Sequence, residues 1–412
     1  MAKKVLILCR HFYPHYGPQA QRMANFARHL PGCRWEPIVL CPESTPQNDS
    51  KHDPQLVGKD FCRTIRTPYN VSSKKAYFDF LIRKALKDLS LDVLLVQSPM
   101  RIYRDMFAEA DSLLKKEKFD LILATSPLPL TLAVADKLSR KHHLPWVADF
   151  RDIPAQHKKR LSGFSPYHLL IKMVKGFCRS ASAVTTVSKP LAEKLTGWME
   201  RNISLVYNGY NPDDFGQNVE TGKDHFTLVY CGTIHTGRNP ALLLNALDLI
   251  LKKDAGKLGR FLLDIYGVSK HCFAQYFENR PCSHLIQNKG HVSFEDSIKA
   301  QQEACGLLFL PSPGLEGILT AKIFEYLGAG RPVLSVPGDE GVTDELLAET
   351  RAGVVGRTAE QIAEILEKWI DQWERTGKIE YNPIPEKIQI YTRRKQTEKL
   401  ARILNGIVEI KS

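Results

Sequence analysis

The sequence predicts an α/β fold built from two parallel-sheet domains, and three observations support this prediction. The chain has 412 residues, which is too long for a single domain with one hydrophobic core, so we expect two domains. Short apolar runs alternate with amphipathic helical segments, which is the pattern of βαβ units whose sheet is covered on both faces. This alternation is absent between Asn208 and Lys223 and resumes after Lys223, so we expect the interdomain linker in this segment.

The first half predicts a sheet whose strands are joined by helices. The segment Glu43–Lys75 is polar and irregular, and we interpret it as a loop at the sheet edge. The predicted strands are Val5–Cys9, Pro37–Cys41, Phe119–Ala124, Trp146–Asp149 and Ala183–Val187. The predicted helices are Ala20–Leu30, Leu130–Arg140, Tyr167–Ser180 and Pro190–Met199.

The second half repeats the alternation and ends in a basic helical segment. Its predicted strands are Phe226–Cys231, Phe261–Tyr266, Leu285–Gln287, Gly306–Leu310 and Pro332–Val336. Its predicted helices are Pro240–Leu251, Phe294–Ala304, one beginning at Ala321, Asp344–Arg351, Ala359–Trp373 and Lys387–Ile410. The order of elements therefore describes two successive α/β domains.

Charge is distributed unevenly along the chain. The first 211 residues carry 33 Lys and Arg against 18 Asp and Glu, a net +15, and the remainder carries 24 against 27, a net −3. This asymmetry predicts an anionic partner for the first half, such as a membrane surface, a nucleic acid or an acidic acceptor. The nine cysteines form no C-x-x-C pair, so we expect reduced thiols in a cytosolic protein. No apolar stretch is long enough for a transmembrane span or a signal peptide.

Two loops of the second half carry a pattern typical of nucleotide binding. Lys322 and Glu325 lie three residues apart on a predicted helix that follows a strand and a loop, so a phosphate and the ribose hydroxyls could be bound there. The alternative is a surface ion pair. Arg238 follows another strand of the same predicted sheet, with Asn239 as the expected N-cap, and could bind the same diphosphate. No D-x-D motif is present to hold a metal.

The loop after the first strand, Arg10–Pro18, offers a second set of polar groups. Gly17 permits a close approach of the backbone to a ligand, but the loop lacks the G-x-G-x-x-G pattern of a dinucleotide site. His11 and His15 lie in this loop, where a substrate contact and a purely structural role remain open. His142 and its neighbour end a helix, where a solvated role is expected.

Taken together, these features resemble the retaining nucleotide-sugar glycosyltransferases of family 4, which have the GT-B fold. The resemblance rests on an ordered set of motifs that spans nearly the whole chain. They are the HFYP…G start with Arg22, VADFRD at 147–152, Val187-Ser188, VYNGY at 206–210 with Asp213–Phe215, the loop Gly232–Arg238, AKIFEY at 321–326 and GRPV at 330–333.

The resemblance implies two Rossmann-like domains that face each other across a cleft. Residues 1–211 would bind the acceptor, residues 212–385 the nucleotide sugar, and residues 386–412 would form a helix that crosses back to the first domain. It also implies site residues in three groups. The catalytic residues would be Arg238, Lys322 and Asp149; the donor-binding residues Glu325, Glu316, Gly232, Thr320, Ala321 and Gly17; and the acceptor or cleft residues His11, His15, Arg151 and Asp152. Glu316 lies one residue further from Glu325 than the family pattern has it, which weakens its assignment.

The implied function is transfer of a hexose, with retention, from a nucleotide-diphosphate sugar to a lipid-linked or polysaccharide acceptor in bacterial-type surface glycan synthesis. We expect no cofactor, no metal and no nucleic-acid partner. The segments Lys158–Phe177 and Tyr77–Leu89 are basic and aromatic, and two interpretations stay open for them: contact with an anionic membrane, or helices that pack their apolar faces on the sheet with the lysines in water. We expect a cytoplasmic protein, and the first interpretation would place it at the inner face of the plasma membrane. The alternatives are a nucleotide-sugar epimerase of the same architecture and a non-catalytic polyanion-binding protein.

Overall fold

The computed structural model describes residues 2–46, 49, 51–68, 100–126, 129–153, 166–216, 219–222, 224–234, 238–311, 317 and 319–410. The chain forms two compact units. The first contains residues up to 207 together with those from 393 onwards, and the second contains residues 208–392. Each unit is a parallel sheet covered by helices, which confirms the predicted α/β fold of two Rossmann-like units.

In the described part of the chain, each unit contains one sheet. The first sheet has the order β3-β2-β1-β4-β5-β6-β7 and the second β10-β9-β8-β11-β12-β13, and every neighbouring pair is parallel. The strands of the first are β1 Lys3–Leu8, β2 Trp35–Pro42, β3 Arg63–Thr67, β4 Leu121–Ser126, β5 Trp146–Phe150, β6 Ala183–Thr186 and β7 Ser204–Leu205. Those of the second are β8 Phe226–Cys231, β9 Phe261–Tyr266, β10 Ile286–Gly290, β11 Gly306–Phe309, β12 Val333–Ser335 and β13 Gly353–Val355. Both sheets therefore change winding direction once, between β1 and β4 and between β8 and β11.

Helices connect most of these strands. Those of the first unit are α1 Pro18–His29, α2 Met100–Lys116, α3 Pro129–His142, α4 Pro166–Cys178 and α5 Lys189–Met199. Those of the second are α6 Ala241–Lys253, α7 Lys270–Phe277, α8 Phe294–Glu303, α9 Ala321–Ala329, α10 Val342–Thr350, α11 Ala359–Thr376 and α12 Pro385–Gln389. The last helix, α13 Arg393–Glu409, belongs to the first unit. Among the described helices, none combines the length and the apolar content that crossing a bilayer would require.

The central strand β1 shows how the first sheet is buried on both faces. Leu6 and Leu8 belong to one apolar cluster, and Val5 and Ile7 belong to another, because successive side chains of a strand point to opposite faces. Leu400 of α13 is part of the second cluster. The last helix therefore completes the core of the first unit.

The structure corrects several local predictions. Residues 63–67 of the segment predicted to be a loop form β3, the edge strand, whose sequence RTIRT carries the charges that an exposed sheet edge tolerates. The short strands β7 and β13 and the helix α2 were not predicted from the sequence. The predicted helix over 387–410 is interrupted, because α12 ends at Gln389 and α13 begins at Arg393.

Candidate functional site

The loops that follow β8 and β11 leave the second sheet at its change of winding direction. In open α/β sheets this switch point forms a crevice at the carboxyl ends of the strands. The loop after β8 reaches Arg238 before α6, and the loop after β11 leads to Thr320 and α9. Glu316 of the latter loop lies outside the described residues. The predicted donor-binding groups on these two loops therefore come from neighbouring strands.

Lys322 lies in the first turn of α9, beside the backbone of the first loop. Its Nζ lies 4.4 Å from the centre of the Tyr230 ring and 3.4 Å from the Tyr230 hydroxyl oxygen. Gly232 has a φ of 136°, which strains any residue with a side chain, and a Cβ at this position would collide with the Lys322 Nζ. Gly232 therefore provides the space that the ammonium group occupies.

Arg238 approaches the same tyrosine from the first loop. Its Nη1 donates to the carbonyl oxygen of Thr233 at 3.3 Å, and the Tyr230 hydroxyl donates to the same oxygen at 2.9 Å. Burial, together with the nearby Arg238 guanidinium, lowers the pKa of Lys322 to about 7, against the opposing effects of Cys231 and Glu325. The Lys322 amine and the Arg238 guanidinium thus lie close together. A dianion bound between them would raise the pKa of Lys322 and so favour its charged form.

Tyrosines fix the start of the first loop, and sequence reasoning missed them. The Tyr326 hydroxyl on α9 accepts a hydrogen bond from the backbone N–H of Cys231 at 3.0 Å. Burial raises the pKa of Tyr230 to about 12, so its hydroxyl stays protonated as a donor at neutral pH. In sequence, both tyrosines are indistinguishable from core aromatics, since each lies within an apolar run.

The N-terminus of α9 presents polar groups. Thr320 is the N-cap residue, yet its side chain caps no backbone N–H, and its buried Oγ1 has no hydrogen-bond partner among the described residues. Ala321 begins the helix, and Glu325 is half-buried one turn after Lys322. The N-terminus is therefore suited to an anion in position and chemistry.

The expected cap of α6 differs slightly from the prediction. The helix begins at Ala241 and Pro240 occupies the N-cap position, one residue later than expected. Asn239 Oδ1 nevertheless accepts a hydrogen bond from the N–H of Ala241 at 2.9 Å. The Asn side chain thus still satisfies one donor of the first turn.

In the first unit, Asp149 is fully occupied by neighbours within the protein. Its carboxylate accepts two hydrogen bonds from Arg22, with Nε at 3.0 Å and Nη2 at 2.7 Å. Thr185 and Thr125 also donate to it, at 2.6 and 3.3 Å. Asp149 has no exposed surface, and its carboxylate is engaged by these three side chains. Arg22 also donates to the carbonyl oxygen of Tyr207 at 3.0 Å, which ties β5, α1 and the segment after β7 together.

The other predicted residues of the first unit lie after β1 and β5. Arg151 and Asp152 pair with each other and are half-buried. Gly17 is the extended N-cap residue of α1, and a Cβ there would lie 3.1 Å from His15 Nε2. His15 stacks on His11 with ring centres 3.9 Å apart. The structure thus brings His11, His15 and Gly17 together in one loop.

Comparison with known proteins gives one match in sequence and many in structure. Residues 103–214 match the family described as Glycosyltransferase Family 4. A comparison with curated protein sequences finds no match.

Solved structures of three bacterial proteins resemble the whole chain. HepE from Anabaena, in complex with UDP and glucose, is 14% identical with a TM-score of 0.63, over 98% of this chain and 100% of that one. A glycosyltransferase from Rickettsia africae is 16% identical with a TM-score of 0.64, over 99% of both chains. Sucrose-phosphate synthase from Thermosynechococcus elongatus is 14% identical with a TM-score of 0.60, over 99% of this chain and 97% of that one.

These likenesses confirm the GT-B fold that the sequence predicted. The matched segment begins within α2 and ends after β7, so it covers the second part of the first sheet. By this segment and by its two-sheet fold, the chain is similar to the family 4 glycosyltransferases.

Proposed function

We propose that this chain is a retaining glycosyltransferase that moves a hexose from a nucleotide-diphosphate sugar to a glycan or lipid-linked acceptor. The observation that supports it most directly is the pairing of Lys322 with Arg238 around Tyr230, at the switch point of the second sheet. The repulsion between these two cations disfavours the charged form of Lys322. A bound diphosphate would offset this repulsion, because its negative charge attracts both side chains.

The donor would be held by groups of both loops. Its diphosphate would contact Lys322, Arg238 and the N-terminus of α9, where the unpartnered Thr320 hydroxyl is available as a donor. Glu325 would accept hydrogen bonds from the ribose hydroxyls. HepE was solved with UDP, so UDP is the first nucleotide to test.

The proposed reaction needs no metal. The bond between the anomeric carbon and the leaving phosphate oxygen breaks, and a bond to the acceptor oxygen forms on the same face. The acceptor proton passes to the departing phosphate. Lys322 and Arg238 stabilise the charge that develops on this phosphate, an effect worth about 3 kcal/mol for one such donor.

The acceptor and the location belong to the same proposal. The net +15 of the first 211 residues favours an anionic acceptor, or one presented at an anionic bilayer, on the cytoplasmic side. Leu169 on α4 is 54% exposed, whereas Val174 and Cys178 of the same helix are buried in the core of the first unit. The segment Tyr77–Leu89 lies outside the described residues. Sedimentation with anionic vesicles at low and high salt tests this part, and absence of binding at low salt would contradict it.

Calorimetric titration of UDP into the purified protein tests the donor site. We expect wild-type protein to bind UDP, and Lys322→Ala or Arg238→Ala to weaken binding at least about tenfold, because each removes a cation from the diphosphate. Lys299→Ala is the matched control, since this lysine is on a helix of the same unit with its side chain 70% exposed. Equal binding by all three variants would refute the assignment.

Product analysis tests the chemistry. With a UDP-hexose and an acceptor, proton NMR of the new glycosidic bond should show the anomeric configuration of the donor. An inverted product would contradict retention. Conversion of the nucleotide sugar in the absence of any acceptor would instead favour the epimerase alternative.

A further inference from the structure

Two loops at the carboxyl edge of the first sheet are joined by backbone hydrogen bonds. One follows β1 and the other follows β2, its neighbour in the sheet. Tyr16 N–H donates to the carbonyl oxygen of Lys51 at 2.8 Å, and Asp53 N–H donates to that of Pro14 at 2.9 Å. His15 and His52 form an antiparallel bridge between these contacts. The side chains of the two loops are therefore held in a fixed relation by the main chain.

These loops bring His11, His15 and Asp49 together. One donor atom from each of the three side chains lies within 4.8 Å of the others, and no second such group occurs among the described residues. His15 Nδ1 lies 2.6 Å from Asp49 Oδ2. The His11 and His15 rings stack with centres 3.9 Å apart and planes inclined by 22°.

Surrounding groups orient the carboxylate. Asp49 Oδ2 accepts a hydrogen bond from Ser44 Oγ at 2.7 Å, and Oδ1 accepts one from the N–H of Lys51 at 2.9 Å. Ligands of protein-bound metals are commonly fixed by such outer hydrogen bonds. The Asp49 side chain is 14% exposed and that of His15 is 10% exposed, so the cluster is shielded but reachable.

We propose that His11, His15 and Asp49 form a site for a divalent cation of borderline softness, of which Zn²⁺ is the best match. Two imidazoles and one carboxylate are a ligand set that Zn²⁺ takes in proteins, with bonds of about 2.0–2.2 Å. Tetrahedral coordination at these lengths needs donor atoms about 3.3 Å apart. The stacked His11 and His15 rings and the 2.6 Å contact between His15 Nδ1 and Asp49 Oδ2 would therefore have to rearrange when the metal binds. Three protein ligands leave a fourth position open for water or an anionic group.

A cationic side chain contacts one of the three ligands. Arg10 Nε donates a hydrogen bond to His11 Nε2 at 3.2 Å. A metal ion bound through His11 Nε2 would have to displace this guanidinium, which opposes cation binding at that atom.

All three ligands belong to the first unit, whereas Lys322 and Arg238 belong to the second. Zn²⁺ binding is therefore measured without nucleotide. Full-length protein freed of metal with a chelator is titrated with Zn²⁺ alone, in competition with a chromophoric chelator and with the thiols kept reduced. We expect wild-type protein to take up about one Zn²⁺. Co²⁺ should replace it and give the visible absorption of a tetrahedral site with N and O ligands.

Substitutions separate this site from the nine free thiols, because a thiolate is itself a Zn²⁺ ligand. His11→Gln, His15→Gln and Asp49→Asn should each weaken Zn²⁺ binding at least about tenfold, as loss of even an outer partner does. His142→Gln is the matched control. His142 lies 2.8 Å from Asp111 in the same unit, in a His–carboxylate pair that lacks the third ligand.

Far-UV circular dichroism identifies any variant that fails to fold, and Asp49→Asn keeps the side-chain shape should a histidine variant misfold. Loss of Zn²⁺ in the three ligand variants but not in the control supports the site. Failure of the wild-type protein to bind Zn²⁺, or equal binding by all variants, would overturn it.

Discussion

Replacement of Lys322 by Met tests the central feature of the second unit. The side chain keeps its length and apolar stem but loses the ammonium that lies beside Tyr230 and Arg238. A fall of the pKa from 10.5 to about 7 corresponds to about 5 kcal/mol against the charged form. Lys322 is not completely shielded from water, so we expect Lys322→Met to stabilise the fold at pH 6 by about 1–2 kcal/mol.

The sign of the pH dependence follows from proton binding. Below pH 7 the lysine is charged in both the folded and the unfolded protein, so the folded state carries the full free-energy penalty of the buried ammonium. Between pH 7 and 10.5 the unfolded chain binds more protons than the folded one, so wild-type stability rises relative to the variant. The advantage of Lys322→Met should therefore shrink as the pH increases from 6 to 9.

Urea denaturation at both pH values measures this difference, with Lys299→Met as the exposed control. The variant should also lose UDP binding, so that gain of stability and loss of ligand occur together. If the variant is less stable than wild type at pH 6, or its advantage is independent of pH, the ammonium is not held at an electrostatic cost and the reasoning fails.

Three further predictions concern the same two units. UDP binding at pH 8 should take up close to one proton, because the diphosphate raises the pKa of Lys322; titrations in buffers of different ionisation enthalpy measure this, and no uptake would contradict the Lys322 contact. Gly232→Ala should weaken UDP binding at least about tenfold in the same calorimetric assay, since the φ of 136° costs about 1–3 kcal/mol and the new Cβ displaces the ammonium; unchanged affinity would show that this geometry is not required. Arg22→Ala should destabilise the protein by about 3–5 kcal/mol in urea denaturation, because it leaves the buried Asp149 carboxylate without its main partner, and a loss below about 1 kcal/mol would contradict the role of this pair.

Local patterns in the sequence predicted most of the fold. The strands predicted at Val5–Cys9 and Phe226–Cys231 correspond to β1 and β8 of the structure, and the helix expected at Ala321 begins at that residue. These predictions succeeded because a buried parallel strand and an amphipathic helix each leave a periodic signature in consecutive residues. The edge strand β3 was missed because an exposed edge carries charges and lacks that signature.

The sequence by itself determined which loops carry cations: Lys322 and Arg238 each follow a strand, so their placement at the carboxyl edge of a sheet follows from chain direction. Only the tertiary structure decided what those residues contact. Tyr230 lies beside Lys322 because β8 and β11 are neighbours in the sheet. The Asp149 carboxylate accepts hydrogen bonds from Arg22, which is 127 residues away in the chain. His15 meets Asp49 because β1 and β2 pair. Such contacts depend on strand order, which is set by the packing of the whole sheet and leaves no local trace in the sequence.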